Sequence, residues 1–238
     1  MTADTTSAPP EGADAWLAVS DAILRGLNHA LSNRIATVSA VVAVIDPDDA
    51  TDLAGDRAML LALAEEIAKL EDVLNLLRMV PRHTTVAEIP VRLSDLLPAT
   101  IAAHEHHPEL RDIPCELDCN PDLEPVLLRE VALAHAMLSL LCAAKLAVVE
   151  RGAGGVRVRC EGDARRIAVT VEAVDGAELP GGEYRTAPLM HDAAIALEAA
   201  RWSLAGTEGE VGTPAAAGDA WAAWRITLPT LSERRRGE

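Results

Sequence analysis

Apolar residues in the first third of the chain recur at three- and four-residue steps. Residues at these steps share one face of a helix, and the first stripe consists of Leu24, Leu27, Leu31, Ile35, Val38, Val42 and Ile45. A second stripe consists of Leu60, Leu63, Ile67, Leu70, Leu74 and Leu77. The pattern predicts helices over Asp14–Ile45 and Leu53–Met79, separated at Pro47, because proline cannot continue the helical hydrogen bonds.

The short connection between these helices predicts an antiparallel hairpin. A hairpin so rich in Leu, Ile and Val cannot bury both apolar stripes by itself. We therefore expect a homodimer, in which two hairpins form a four-helix bundle.

The pattern changes after a break at Pro81–Thr85. Strands are predicted over Glu88–Leu93, Ile113–Cys119, Val156–Cys160, Ile167–Val171 and Trp221–Leu228. Helices are predicted from a Ser94 cap to His106, over Pro125–Glu150 and over His191–Leu204, with Arg151–Gly155, Gly176–Leu189 and Ala205–Gly218 as turns or loops. Mostly antiparallel strands with helices between them indicate an α/β sandwich, so the whole chain is of the α+β class.

These elements divide the chain into four parts. Residues 1–13 are expected to form a short disordered lead, residues 14–80 the hairpin, residues 86–230 the sandwich and residues 231–238 a charged tail, which is expected to be frayed. The lead lacks the basic and apolar regions of a signal peptide, which predicts a cytoplasmic protein.

The composition of the chain limits the classes of partner that it is expected to bind. The chain has 238 residues, half of them apolar, and a formal net charge of −16. This charge disfavours a nucleic acid or an anionic membrane as the main partner, and we find no apolar run suited to spanning a bilayer. The four cysteines fit no zinc or redox motif and are predicted to be reduced thiols.

A histidine and an amide lie together on the first helix. Asn33 follows His29 by one turn, on a flank outside the apolar stripe. Arg25 precedes His29 by one turn, and Arg34 follows close behind.

Four segments in this order resemble the core of a bacterial sensor histidine kinase. Leu27–Arg34 resembles its histidine box, and Val91–Leu97 resembles the start of its second domain. Met137–Ala144 occupies the place of its Asn-containing helix, and Trp224–Pro229 resembles its last strand. The resemblance implies a dimerising hairpin with a phosphorylated His29, followed by a domain that resembles the kinase ATPase.

Departures from the family pattern concern the nucleotide site. Ser139 and Ala143 stand where the family has the two Asn that bind nucleotide and Mg²⁺, and an alanine cannot supply the oxygen ligand that Mg²⁺ requires. The glycine-rich pattern expected around Asp175 is absent from the sequence there. The resemblance therefore implies a degenerate ATPase domain without a stably bound cofactor or metal.

Ala30 stands where the kinases carry an acidic residue that acts as general base. A histidine that receives phosphate from an aspartyl phosphate does not need this base. The chain thus resembles the dimeric histidine phosphotransferases of phosphorelays, which implies response regulator receiver domains as partners, with Mg²⁺ supplied by the receiver. A hybrid histidine kinase is a further candidate partner, and Asn33, Arg25 and Arg34 are the residues expected to assist His29.

Two other functions stay open at this point. One is a non-enzymatic dimeric scaffold or inhibitor of a kinase or regulator, and the other is a divergent ATP-dependent histidine kinase.

Other histidines and arginines receive simpler interpretations. The run His104–His107 is expected to be a solvated helix terminus in preference to a metal site, and His135 a packed core or interdomain residue. Arg157, Arg159, Arg165 and Arg166 are expected to form a solvated strand face, with a docking patch for an acidic receiver as the alternative.

Overall fold

The computed structural model describes residues 11–44, 53–80, 87–179 and 193–237, and these form an α+β structure. The helices are α1 (Glu11–Val44), α2 (Leu53–Met79), α3 (Leu93–His104), α4 (Glu130–Arg151), α5 (Ala193–Leu204) and α6 (Leu231–Gly237). The strands are β1 (Ile89–Val91), β2 (Cys115–Cys119), β3 (Val126–Leu128), β4 (Ala153–Gly162), β5 (Arg166–Glu178), β6 (Glu210–Gly212) and β7 (Ala220–Pro229).

Helices α1 and α2 pack against each other as the periodicity predicts. The Arg34 guanidinium on α1 donates to the Glu66 carboxylate on α2 at 2.9 Å, and Lys69 reaches the other oxygen of Glu66 at 2.6 Å. Residues 34 and 66 lie 10 and 13 residues from the facing ends of the two helices, which is the pairing expected of an antiparallel hairpin. Residues 45–52, which include Ile45 and Pro47, lie outside the described residues.

The main sheet has the strand order β2-β4-β5-β7-β6. Its pairs are antiparallel except for β2 with β4, which run parallel. The side chains of Val158, Val171 and Trp224 are buried on the sheet face that α4 covers. Strands β1 and β3 form a separate antiparallel ribbon.

Several predicted boundaries are wrong. The helix predicted from Pro125 begins at Glu130, because residues 126–128 pair with β1. Ser94 does not cap α3: the helix begins at Leu93, and the Ser94 hydroxyl donates to Asp95 at 3.2 Å. Regions predicted as turns, loops or a frayed tail instead contain the start of β4, the end of β5, strand β6 and helix α6.

The first half of α1 is part of the core of the sandwich. Trp16, Val19, Ile23 and Leu27 are buried on one side of it, and the ring of Trp16 stacks on the ring of His135 from α4 at 3.8 Å. Cβ of Trp202 on α5 lies so close to Gly12 that a Cβ on Gly12 would be 2.6 Å from it. One continuous cluster of buried residues therefore joins α1 to the sandwich, which differs from a hairpin that can bury its apolar surface only in a dimer.

Helix α4 runs through the centre of this core. By length and composition it could cross a bilayer, which the sequence did not lead us to expect, but 94% of its apolar window is buried inside the protein. It is therefore the central core helix of the described structure, and His135 on it is buried as predicted.

Candidate functional site

His29 lies on the exposed side of α1, directly after the stretch that packs into the core. The Asn33 side-chain amide donates to Nε2 of His29 at 3.2 Å. Because an amide nitrogen can only donate, this bond leaves the lone pair on Nε2 and the proton on Nδ1. The predicted pair of imidazole and carboxamide is therefore formed, and the lone pair of Nε2 can act as a nucleophile once Asn33 releases it.

The His29 cleft, about 380 Å³ in volume, opens beside this pair. One wall is α1, and the other is the connection between α3 and β2; the lining residues are Arg25, Gly26, His29, Ala30, Asn33, Glu105, His106, Pro108 and Arg111. The sequence alone did not assign residues 105–111 to the site. Residues from the sandwich therefore complete the surroundings of a histidine carried by the hairpin.

Gly26 makes this cleft possible. A Cβ at this position would overlap the carbonyl oxygen of His106, so only glycine lets the two walls meet. A glycine inside a helix is otherwise unfavourable by about 1 kcal/mol. Its presence one turn before His29 is the sequence signal that could have indicated a close neighbour.

Cations flank the His29 cleft. Arg25 forms an ion pair with Asp21 at 3.3 Å, and Arg111 with Asp112 at 3.6 Å. All four side chains are well exposed, so these pairs are weak and an incoming anion can compete for the guanidinium groups. Arg34, by contrast, is bound to Glu66 and is not part of the cleft lining.

Glu66 on α2 holds the Arg34 side chain outside the lining of the His29 cleft. The hydrogen bonds from Lys69 and from Arg34 lower the pKa of the Glu66 carboxyl. The carboxylate therefore bridges two cations and ties α1 to α2. The structure thus brings together Arg25, His29 and Asn33, and directs Arg34 elsewhere.

Residues His104 and His107, which precede and follow His106, are buried, so the prediction of a solvated helix terminus is wrong for them. Their exposed fractions are 0% and 1%, and their rings stack with centroids 5.5 Å apart. The neighbouring amine of Lys145, also buried, donates to the carbonyl of Leu110 at 3.1 Å. The connection that forms the second wall therefore rests on a buried set of basic groups.

Burial determines the protonation of these histidines. It lowers the pKa of His107 to about 4 and holds that of His104 well below its usual range, with the charge of Lys145 adding to both effects. The backbone N–H of Glu109 donates to Nδ1 of His107 at 3.3 Å, which requires that nitrogen to be unprotonated. Burial also lowers the pKa of the half-buried His106. The wall is therefore built with neutral histidines.

The residues predicted for the degenerate nucleotide site do not line one cavity. Ser139 and Ala143 are fully buried on α4, and the Ser139 hydroxyl donates to the carbonyl of His135 at 2.9 Å. Asp175 lies exposed on β5 and pairs with Arg151 at 2.8 Å. A cavity of about 320 Å³ borders Asp175, but neither Ser139 nor Ala143 belongs to its lining.

The cavity beside Asp175 is acidic. Four carboxylates line it, those of Asp112, Glu116, Asp175 and Glu178. Its arginine, Arg157, already donates two hydrogen bonds of 2.8 Å to the carboxylate of Asp219. This lining repels a polyphosphate. Within the described ranges, no group of three or more His, Cys, Asp or Glu side chains is arranged to hold a metal ion.

Comparisons with known proteins give only distant likenesses. No family model matches the chain, and neither does any curated protein. Among solved structures it is similar to the histidine kinase AdeS of Acinetobacter baumannii, with 15% identity, a TM-score of 0.41 and coverage of 87% of this chain and 97% of that one.

Two further solved structures are similar at the same level. A bacterial phosphotransferase has 13% identity and a TM-score of 0.43, covering 88% of this chain and 96% of that one. The histidine kinase ThkA in complex with the response regulator protein TrrA has 15% identity and a TM-score of 0.44, covering 87% and 61%. Likenesses with TM-scores below 0.5 carry no inference about activity, so the function proposed below rests on this chain's own residues.

Proposed function

We propose that the chain is a histidine phosphotransferase of a two-component phosphorelay, which carries a phosphoryl group between receiver-domain aspartates on His29 without using ATP. The observation that carries this proposal is the exposed imidazole of His29, with its Nε2 lone pair held by Asn33 in an open cleft. A large partner can reach an exposed histidine on a helix surface.

The transfer step needs only groups that are present in the two proteins. Nε2 attacks the phosphorus of the aspartyl phosphate, the N–P bond forms, and the bond from phosphorus to the aspartate oxygen breaks in line with it. The aspartate leaves as a carboxylate, and the proton on Nδ1 stays on the ring. Asn33 releases Nε2 during attack and is then placed to donate to a phosphoryl oxygen. Arg25 and Arg111 offset the negative charge of the phosphoryl group.

The lack of an acidic residue directly after His29 favours aspartyl phosphate over ATP as the donor. Ala30, next to His29, lines the cleft but cannot take a proton. The acyl phosphate of a receiver is already activated, and the receiver brings the Mg²⁺ that neutralises the transferring group. The buried Ser139 and Ala143 and the acidic lining beside Asp175 also disfavour a bound nucleotide.

A receiver domain would dock across both walls of the His29 cleft. Receivers present an acidic pocket, and this site offers Arg25 and Arg111 in a chain whose net charge is −16. Complementary charge at the point of contact accelerates encounter and orients the partner. The α3–β2 connection therefore gives the sandwich a direct part in partner recognition.

A second copy of the chain is the occupant we propose for the exposed apolar side of the hairpin. Large apolar side chains there are 37–60% exposed, in contrast to the buried stripe further back on α1; they are Ile35, Val42, Leu60, Leu61, Ile67 and Leu74. Exposed apolar patches of this kind mark association surfaces. A four-helix bundle would cover them, and a solution mass of one chain at micromolar concentration would reject this part of the proposal.

The decisive experiment incubates the protein with ³²P-phosphorylated receiver domains and follows label on each protein. Wild type should acquire acid-labile, base-stable label, and His29→Ala should acquire none. Asn28→Ala, an exposed neighbour that does not line the cleft, is the matched control and should keep the wild-type rate. Equal labelling of His29→Ala and wild type would reject the phosphotransferase.

Glu105 favours a second candidate function, a divergent ATP-dependent histidine kinase. Its carboxylate lines the cleft from the sandwich side and could replace the base that Ala30 lacks. In that case, ATP with Mg²⁺ should label His29 in the absence of any receiver, and Glu105→Gln should abolish that labelling. No labelling from ATP, together with labelling from a receiver, separates the two functions.

A further inference from the structure

Cys119 and Cys160 are brought together by the parallel pairing of β2 with β4. They are direct register partners at the C-terminal ends of these strands. Neighbouring strands lie about 4.8 Å apart, within the range of Cα separations that a disulfide bridges, about 4.4–6.8 Å. Register partners also point to the same face of a sheet, so the two thiols face the same side.

The side chains of Cys119 and Cys160 are neighbours across the two strands, and both thiols are free. Burial raises the pKa of the Cys160 thiol, and the nearby Cys119 thiol adds to this effect. The Cys119 thiol itself donates to the backbone carbonyl of Asn120 at 3.9 Å. Cys160 is buried at 7% exposure, whereas Cys119 is partly exposed on an edge strand. A small oxidant can therefore reach Cys119 more readily than the buried Cys160. The other two cysteines differ: Cys115 pairs in register with Val156, and Cys142 is fully buried in α4.

We propose that Cys119 and Cys160 form a reversible thiol–disulfide site, oxidised by a peroxide. The Cys119 thiol loses its proton to solvent, and its sulfur attacks one peroxide oxygen, so that the O–O bond breaks and a sulfenic acid and one water result. The sulfur of Cys160 then attacks the sulfenic sulfur. The S–S bond forms, and the sulfenic hydroxyl leaves as a second water with the proton of Cys160. Two thiols are oxidised by two electrons, and one hydrogen peroxide is reduced to two waters.

This order of events follows from burial. Burial raises the pKa of Cys160, so its thiolate is scarce and it is a poor first nucleophile. As the second thiol it needs only to meet a sulfenic acid formed on its register partner in the next strand. The bond would join edge strand β2 to β4, across a chain separation of 41 residues, and would hold the end of the strand that follows the α3–β2 connection.

The test treats the purified, fully reduced chain with hydrogen peroxide and counts free thiols in denaturant. Wild type should fall from four thiols to two, lose 2 Da, give a peptide that joins Cys119 to Cys160, and recover all four thiols with dithiothreitol. Its disulfide form should run as a single chain on a non-reducing gel. Loss of thiols through dimers linked by Cys119, or no loss of thiols under conditions that oxidise free cysteine, would overturn the proposal.

Three variants sharpen the result. Cys160→Ser should stop at the sulfenic acid of Cys119, trapped by dimedone as an adduct on that residue. Cys119→Ser should keep its three thiols, and Cys115→Ser, the matched control on the same strand, should still lose two. A dimedone adduct on Cys160 in Cys119→Ser, or a joined peptide that includes Cys115, would show that the assignment is wrong. None of these readouts depends on the phosphotransferase proposal.

Discussion

Acid should loosen the wall of the His29 cleft, because that wall is built on neutral buried histidines. The pKa of His107 is about 4 in the folded chain, against 6.5 for an ordinary histidine. Above pH 6.5 the folded and unfolded chains both leave this ring neutral, so it contributes no pH dependence there. As the pH falls below 6.5, only the unfolded chain takes up the proton, and stability is lost until about pH 4.

The size of the effect follows from the shift in pKa. One pKa unit corresponds to about 1.4 kcal/mol, so the shift of His107 amounts to about 3 kcal/mol in full and about 2 kcal/mol by pH 5. The buried His104 acts in the same direction. The groups facing these rings, Lys145 on α4 and Arg25 on α1, are cationic and increase the cost of protonation.

The assay is urea unfolding at pH 7.5 and pH 5.0, followed by tryptophan fluorescence, for wild type and His107→Gln. Each protein is compared with itself at the two pH values, so the packing lost in the variant cancels. The loss of stability between these pH values should be about 2 kcal/mol smaller in His107→Gln than in wild type. His106→Gln, on the same connection but only half-buried, should give a smaller difference. Equal losses in wild type and His107→Gln would refute the reasoning.

Three further substitutions test the packing of α1 and the electrostatics of the buried histidines. Gly26→Ala should lower the melting temperature because its Cβ would overlap the carbonyl oxygen of His106, although alanine normally favours a helix over glycine by about 1 kcal/mol. Ala36→Gly, at an exposed position of the same helix, measures the difference in helix propensity alone. A higher melting temperature for Gly26→Ala would argue against the close contact. Trp16→Ala removes a buried ring stacked on His135 and should cost roughly 3–5 kcal/mol in urea unfolding; a loss below about 1 kcal/mol would mean that α1 is not docked on the sandwich. Lys145→Met removes the positive charge that adds to burial in lowering the pKa of both buried histidines. The loss of stability on acidification should therefore shrink, and an unchanged loss would contradict that electrostatic link.

Elements with a long and regular pattern were predictable from the sequence. Helices α1 and α2 and the predicted parts of β4, β5 and β7 lie where periods of 3.6 and 2 indicated. Strand β3, with only three residues directly before α4, has too few alternations to be separated from the helix that follows. Strand β6 forms by pairing with β7, and no pattern within residues 210–212 predicts that pairing.

Only those residues of the candidate site that lie close together in the sequence were predictable. His29, Asn33 and Arg25 follow from helical spacing, because the three residues lie within two turns of one element. The second wall around His106, the burial of His104 and the pairing of Cys119 with Cys160 depend on which distant segments meet. Spacing also placed Arg34 near His29 but could not show that Glu66 on α2 would bind it more closely.

The docking of α1 on the sandwich has a consequence for dissecting the protein. Trp16, Val19, Ile23 and Leu27 belong to the same buried cluster as α4, so the residues before and after the break in the sequence pattern near residue 81 share one core. Each such side chain contributes about 1.5–3 kcal/mol when buried. Cutting the chain near residue 81 would expose an apolar surface on both fragments, so we expect each fragment to aggregate when it is expressed alone. The helix that carries the candidate phosphoacceptor is thus also a structural component of the domain behind it.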